Sequence, residues 1–410
     1  MKSHCSKLSV HWIILKNEPN IKLSLQHILQ QHPSIAKAHL NGYQRNVLTR
    51  LEHCKTAYMG GHWQACTSCG NLQKHYSSCG NRHCPQCQGA NRERWILERE
   101  YDLFDVPHHH VTFTVPSELR SLFYHNQKVL YHLLFKSMWA TLCSFSKDPR
   151  SRLQAEIGVI SILHTWTQKL EYHPHLHCIV PSGGLSNGQW KHKHGKFLFS
   201  VKALSKVFKN KLCDEIKTMH NAKVIVNKQG LSSQEFAQFM DRVRKKKWVV
   251  NSKPGFAGRA SVLEYLGRYT HKIAISNYRL VSLKDGRVTF TYRDRKAGDV
   301  KKVMSLAVQE FIQRFSWHIL PKGFIKIRHF GLFSTRTKQT KLAMVRASLG
   351  ETQKPKPAKL TIAEVIFQTT GRNIHLCPCC KEGVMVVVKK IPPARGSPNA
   401  LLKTVNASWL

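Results

Sequence analysis

Two short segments about ninety residues apart carry the side chains most able to do chemistry: His173-Pro174-His175-Leu176-His177 and Tyr265-Leu266-Gly267-Arg268-Tyr269-Thr270-His271-Lys272. The first runs on into Cys178-Ile179-Val180 and is broken by Pro181 and Gly183-Gly184, which predicts a short buried strand. Strand side chains alternate faces, so His175 and His177 share one face while Leu176 enters the core. Neutral imidazole is a common metal ligand, and two on one face make half of an open metal site. Taken alone, such a pair more often belongs to a surface or a core than to a metal.

The second segment shifts that balance. Ser261-Val262-Leu263-Glu264 has capping-box form after the turn-rich Lys253-Pro254-Gly255-Phe256-Ala257-Gly258, so a helix is expected to start near Ser261. Tyr265, Tyr269 and Lys272 then fall on one helical face. At about 1.5 Å rise per residue the two phenols stand roughly 6 Å apart along the axis, both within reach of one centre. A stripe of aromatics is ordinarily a core face, but an ammonium on the same stripe argues against that. Gly267 weakens this helix by about 1 kcal/mol relative to Ala.

Together the two motifs resemble the two-tyrosine HUH endonucleases, and within them the transposases of bacterial rolling-circle insertion sequences. Val111-Thr112-Phe113-Thr114-Val115-Pro116 is similar to the upstream Phe-Thr strand motif of the related replication initiators, and all three motifs come in the family's order. Leu163-His164-Thr165-Trp166, the cysteine-rich block before residue 90 and Arg328-His329-Phe330-Gly331 extend the likeness over roughly residues 25 to 345.

The resemblance implies an antiparallel sheet with flanking helices and a definite chemistry. A divalent ion, Mg²⁺ or Mn²⁺, polarises the scissile phosphate while a tyrosine attacks it, leaving a 5′-phosphotyrosine and a free 3′-hydroxyl. A phenol has an ordinary pKa near 10, so it needs a cation close by to act at neutral pH. Tyr265 and Tyr269 are the expected nucleophiles, with Lys272 stabilising the phenolate or the phosphate charge. His175 and His177 are the expected metal ligands. A third ligand is expected, first from His164 on a strand running 157–164, with His173 and His271 as alternatives; the sequence does not choose among them. No G-x-x-x-x-G-K-[ST] phosphate loop occurs, consistent with a strand transfer that uses no nucleotide cofactor.

A second constellation is made of cysteines. Cys66-x2-Cys69 and Cys84-x2-Cys87 stand fourteen residues apart, close to the spacing of a four-thiolate zinc site. The expectation is a zinc site held by Cys66, Cys69, Cys84 and Cys87, with Cys79, His83, His75 and His62 as spare candidates that leave open the exact four ligands and a second ion. Thirteen cysteines, five of them within residues 66–87, together with the absence of a secretory signal, argue against disulfides. Cys377-Pro378-Cys379-Cys380 holds another C-x2-C half without an evident partner pair; with His375 it reads equally as a loose or partner-completed knuckle or as idle thiols.

Composition points to a polyanionic partner. Lys and Arg number 64 against 23 Asp and Glu, a formal charge of +41, which favours salt-sensitive binding to nucleic acid without fixing a sequence. Basic clusters such as Arg242-Val243-Arg244-Lys245-Lys246-Lys247 and residues 293–302 are, singly, ordinary solvated faces. No apolar run approaches eighteen residues, so no membrane span is expected, and the expected location is the cytoplasm, on the bacterial nucleoid.

The expected fold is α+β: residues 1–104 as N-terminal helices and a zinc-ribbon-like module with its zinc site at about 62–90, residues 105–345 as the HUH-like catalytic domain, and residues 346–410 as a flexible basic tail around a small cysteine cluster. Leu119 to Phe145 reads as strongly helical and amphipathic, and a hairpin is expected around Lys284-Asp285-Gly286. By resemblance, the activity is nicking and rejoining of single-stranded, hairpin-containing DNA at element ends. The competing expectations are a zinc-dependent DNA-binding protein that does not nick, a rolling-circle replication initiator, and a hydrolytic nuclease that uses the histidines and water.

Overall fold

The computed structural model describes residues 23–394, apart from 39, 196, 257–260, 264, 266, 268–272, 295–296 and 353–357. The chain enters through helices Leu25–Gln31, Pro33–Lys37 and Gly42–Glu52. Ser24 caps the first, and an Asn41/Gln44 capping box starts the third. Leu25, Ile28 and Leu29 face Val47, Leu48 and Leu51 in one core, the pairing that their helical spacing predicts. Strands β1 (Gly61–Cys66) and β2 (Leu72–Tyr76) form a hairpin, and helix Gln88–Asp102 leads on to β3 (His108–Thr114).

Beyond β3 lies a helical layer. The stretch read as helical is so, with one break at Asn126, between Arg120–His125 and Gln127–Lys147. Asn126 turns its side chain away to donate to the carbonyls of Leu122 and Val226 and to accept from Val226 N, so a tertiary contact overrides local propensity. Strands β4 (Gly158–Trp166) and β5 (Tyr172–Pro181) follow, then the small hairpin β6 (Gly183–Ser186) and β7 (Gln189–His192). Helices Val201–Asn221 and Ser233–Lys245 precede β8 (Val250–Phe256). Strands β9 (Leu280–Lys284), β10 (Arg287–Asp294) and β11 (Val300–Ala307) form a separate antiparallel sheet. Its first hairpin turns through Asp285 and Gly286, both at positive φ, the backbone that a two-residue turn requires. Helix Val308–Ser316, β12 (Ile327–Gly331), helices Lys338–Leu349 and Ile362–Thr370, and β13 (Met385–Ile391) complete the described chain.

The central sheet has the order β12-β4-β5-β3-β8 and is antiparallel throughout. Its two faces differ. Val111, Phe113, Leu163, Leu176, Cys178 and Val180 lie in the main core with Leu134, Phe135, Phe208 and Leu212 of the helical layer. The opposite face is apolar at one end, where Ile160, Ile162 and Ile179 meet Leu103, Phe104, Val262, Leu263 and Leu342. Burial of each such side chain contributes about 1.5–3 kcal/mol. At the other end of the same face, two residues along each strand, stand His164 and His177.

The C-terminal expectation needs correction. Residues 346–410 are not a loose tail over their described part: helix Ile362–Thr370 packs on helix Gln88–Asp102, and β13 pairs antiparallel with β1, Gly61 opposite Ile391 and Cys66 opposite Met385. The N-terminal module is thus a three-stranded sheet, β13-β1-β2, made from both ends of the chain. Among the described residues no helix is long and apolar enough to cross a membrane.

Candidate active site and cysteine clusters

Register places the histidines. In β4 and β5, His164 is directly opposite His175, and Ile162 opposite His177; across the other edge of β5, Thr114 faces His175 and Thr112 faces His177. Cross-strand partners share a face, so His164, His175 and His177 converge, with ligand nitrogens all within 4.8 Å of one another. Leu176 between them is fully buried in the main core. His164 and His177 are 4% and 8% exposed, so the site is sunk below the surface and bounded by Trp166, which stacks on His164 at 4.4 Å.

Hydrogen bonds orient the rings. Nδ1 of His175 donates to the carbonyl of His173 at 2.6 Å, which leaves Nε2 as the lone-pair nitrogen. That Nε2 lies 3.1 Å from Nε2 of His177. Two facing lone pairs at that distance repel unless a proton or a metal lies between them. The separation is close to the roughly 3.0 Å expected for two nitrogens about 2.1 Å from one ion at right angles. The donor set therefore fits a divalent transition ion. Three imidazoles suit Mn²⁺ better than Mg²⁺, which prefers oxygen ligands.

His110 joins this group to the tyrosine helix, and sequence reasoning missed it. Its Nε2 is 2.8 Å from Nδ1 of His177 and 3.2 Å from Oγ1 of Thr112, and the Tyr265 hydroxyl lies 2.9 Å from the same nitrogen. The available signal was strand alternation: His110 precedes Thr112 by two residues on the motif-bearing face of β3. Tyr265 is packed between His110 and Phe256, with ring centroids at 4.7 and 4.9 Å. The segment is helical at residues 261–263, 265 and 267, with Val262 and Leu263 buried beneath it. Gly267 packs closely, since a Cβ there would stand 2.6 Å from Cδ1, the movable end of Ile96 on helix Gln88–Asp102. Tyr269, His271 and Lys272 lie outside the described residues.

His173 is drawn off elsewhere. It accepts a hydrogen bond from Arg120 at 3.0 Å, and burial, helped by that guanidinium, holds its pKa down to about 4. Beside the site, Lys326 lies over the Trp166 ring at 5.2 Å; burial, then Arg82, lower its pKa to about 7.

The cysteines form two groups, and the expected quartet is divided between them. Cys84 and Cys87 gather with Cys54 and Cys79, and Cys66 and Cys69 gather with Cys377 and Cys380. The expected quartet Cys66, Cys69, Cys84 and Cys87 is therefore split, because β1 carries its knuckle away toward β13. In the first group Cys54 to Cys87, Cys79 to Cys87 and Cys54 to Cys84 measure 3.4, 3.6 and 3.7 Å between sulfurs. Cys54 was unforeseen: it is a lone cysteine just past helix Gly42–Glu52, with no C-x2-C spacing to mark it. His83 is not a member. Its Nδ1 meets Oδ1 of Asn81, its Nε2 accepts from Leu320 N, and burial lowers its pKa to about 3. His62 and His75 face each other across the β1–β2 hairpin, and neither they nor His375 belong to either cysteine group.

Residues 25–115 match a family profile described as "Transposase zinc-binding domain", and residues 158–341 match one described as "Putative transposase". A protein of Sinorhizobium fredii named "Putative transposase y4qJ" is 40% identical over 381 residues, 90% of this chain and 93% of that one. The "Transposase for insertion sequence element IS801" of Pseudomonas savastanoi pv. phaseolicola is 28% identical over 305 residues, 72% of each chain. No solved structure gives a match. With the two profiles in order along one chain and 40% identity spanning 90% of it, the protein belongs to the family of transposases that join an IS91-type zinc-binding domain to a Y2 transposase domain.

Proposed function

We propose that this transposase nicks and rejoins single-stranded DNA at the ends of an insertion sequence through 5′-phosphotyrosine intermediates, in rolling-circle transposition. The observation that carries the reading is the convergence of His164, His175 and His177 with the Tyr265 hydroxyl one histidine away. Those three histidines would hold Mn²⁺ or Mg²⁺, which when bound supplies Lewis acidity to the scissile phosphate. The protein's own groups do the rest. His175 is fixed by its bond to the His173 carbonyl, and His177 by its bond to His110. Tyr265 Oη, oriented by Nε2 of His110, forms the new bond to phosphorus and releases its phenolic proton to water, and the 3′-oxygen leaves with its electron pair and takes up a proton from water. Tyr269 serves as the second nucleophile, holding one cut strand while the other is cut, and Lys272 stabilises the phenolate or the phosphate. Phosphotyrosine conserves the bond energy, so rejoining needs no nucleotide.

The same reading assigns Zn²⁺ to Cys54, Cys79, Cys84 and Cys87, whose sulfur spacings of 3.4 to 3.7 Å approach the about 3.8 Å edge of a Zn–S₄ tetrahedron with 2.3 Å bonds. The formal charge of +41 suits a large DNA footprint, with hairpin-containing single strands as substrate and the cytoplasmic nucleoid as location. The test is incubation of labelled single-stranded oligonucleotides from the element's ends with Mn²⁺ and wild type, Tyr265→Phe, Tyr269→Phe or both. An adduct that survives denaturation and vanishes in the double variant supports the reading. Cleavage without an adduct favours a hydrolytic nuclease, and binding without cleavage favours a zinc-dependent DNA-binding protein.

A further inference from the structure

We infer that Cys66, Cys69, Cys377 and Cys380 form a second, separate structural zinc site, one that fastens the C-terminal segment to the N-terminal module. The matched zinc-binding domain ends at residue 115, so half of this site lies outside it. Cys66 to Cys380 and Cys69 to Cys377 measure 3.6 and 3.7 Å between sulfurs. That is far from the about 2.05 Å of a disulfide and near the about 3.8 Å edge of a Zn–S₄ tetrahedron.

The surrounding backbone has the form that thiolate knuckles require. Ser68 N and Cys69 N donate to Sγ of Cys66, Cys379 N donates to Sγ of Cys377, and Gly383 N to Sγ of Cys380, at 3.4 to 3.5 Å. These N–H groups offset the negative charge that four thiolates bring to one ion. The two knuckles are locked together by Thr67 N donating to the Val384 carbonyl and Val384 N donating to Oγ1 of Thr67, both at 3.0 Å. Gly383 marks the closeness of the fit: a Cβ there would stand 2.4 Å from Sγ of Cys66 and 2.7 Å from Oγ of Ser68. Cys66 and Cys377 are 5% and 1% exposed and pack with Met385, so an ion held by the four sulfurs would be largely shielded from water.

The test is the zinc content of the full-length protein, measured by elemental analysis for wild type, Cys66→Ser/Cys69→Ser, Cys377→Ser/Cys380→Ser and the combined fourfold variant. Each pair is expected to lose one equivalent, and the fourfold variant still only one, because both halves hold the same ion. The cluster of Cys54, Cys79, Cys84 and Cys87 and the three histidines are common to all variants, so their metal cancels in the differences. Full zinc retention in Cys377→Ser/Cys380→Ser, or loss of two equivalents in the fourfold variant, overturns the assignment. So does an equivalent of iron in place of the zinc. Should the serine variants misfold, Cys380→His in the cobalt-substituted protein gives an independent reading. It is expected to keep the ion and weaken the thiolate-to-cobalt charge-transfer absorption by about one-eighth, one thiolate of eight in two S₄ sites. An unchanged cobalt spectrum overturns the site.

Discussion

Replacing His110 by alanine separates the two roles that the structure gives it. Its Nε2 is 2.8 Å from Nδ1 of His177 and 2.9 Å from the Tyr265 hydroxyl. Loss of an outer hydrogen-bond partner from a metal-binding histidine ordinarily weakens metal affinity by about 10- to 100-fold, or about 1.4–2.7 kcal/mol. Loss of the tyrosine's neutral hydrogen bond costs about 0.5–1.5 kcal/mol more, a factor of roughly 2 to 12. The two effects respond differently to metal. At limiting Mn²⁺ both operate, and cleavage is expected to fall by roughly 20- to 1,000-fold. At saturating Mn²⁺ only the tyrosine's share remains. The assay is calorimetric titration of Mn²⁺ into the protein without DNA, with single-turnover cleavage at low and saturating Mn²⁺ and a thermal melt as folding control. A Mn²⁺ dissociation constant equal to wild type, or a cleavage defect independent of Mn²⁺, would refute the idea that His110 acts through His177.

Three further expectations follow from the same geometry. Because three imidazoles converge, cleavage is expected to reach its half-maximum at an Mn²⁺ concentration at least tenfold below that needed for Mg²⁺; a preference for Mg²⁺ in parallel titrations would exclude a three-histidine site. His318 is fully buried, its Nε2 donating to the Leu170 carbonyl, and burial lowers its pKa from 6.5 to about 4. The unfolded chain therefore takes up a proton that the native state refuses, so stability falls as pH drops from about 6.5 to 4, by on the order of 3 kcal/mol from this group, and levels off below. Urea unfolding across that range is expected to give a flatter pH profile for His318→Gln, and an unchanged slope would count against it. At Gly267 the Cβ of Ala meets only the movable end of Ile96, so Gly267→Ala is expected to stay within about 1 kcal/mol of wild type. Gly267→Val is expected to overpack by about 1–3 kcal/mol and to slow Tyr265-dependent adduct formation, which melting curves and the gel assay read together.

The histidine site was legible because strand geometry is local. A period of two set His175 and His177 on one face and Leu176 on the other, and a short connection between two predicted strands made His164 the first choice for a third member. His110 was hidden for the opposite reason. It is the last of three consecutive histidines; strand alternation turns it away from His109, which meets Ser182 instead, but only the packing of the tyrosine helix shows what it meets. The cysteines misled by their spacing. Two C-x2-C halves fourteen residues apart look self-sufficient, and nothing near Cys66 signals that its partners lie past residue 370 until β13 is seen beside β1. Cys54 was equally opaque, since its place in a cluster depends on how a helix end folds back on residues 79–87. The break at Asn126 belongs with these cases: its side chain answers to Val226, a hundred residues away in sequence.

Because β1 is the middle strand of β13-β1-β2, the order of synthesis leaves one of its edges open until residue 391 has been made. At elongation rates of about 5–20 residues per second, the about 330 residues between β1 and the end of β13 take roughly 16 to 66 s to translate. Late in that interval the nascent chain carries the histidines and Tyr265 while its first module still lacks a strand. A ribosome that stalls or frameshifts before the end therefore releases a chain with an unpaired sheet edge, the kind of surface that aggregates or is degraded. The sheet of the first module is thus the last part of the described fold to be closed, long after the histidine strands have been made.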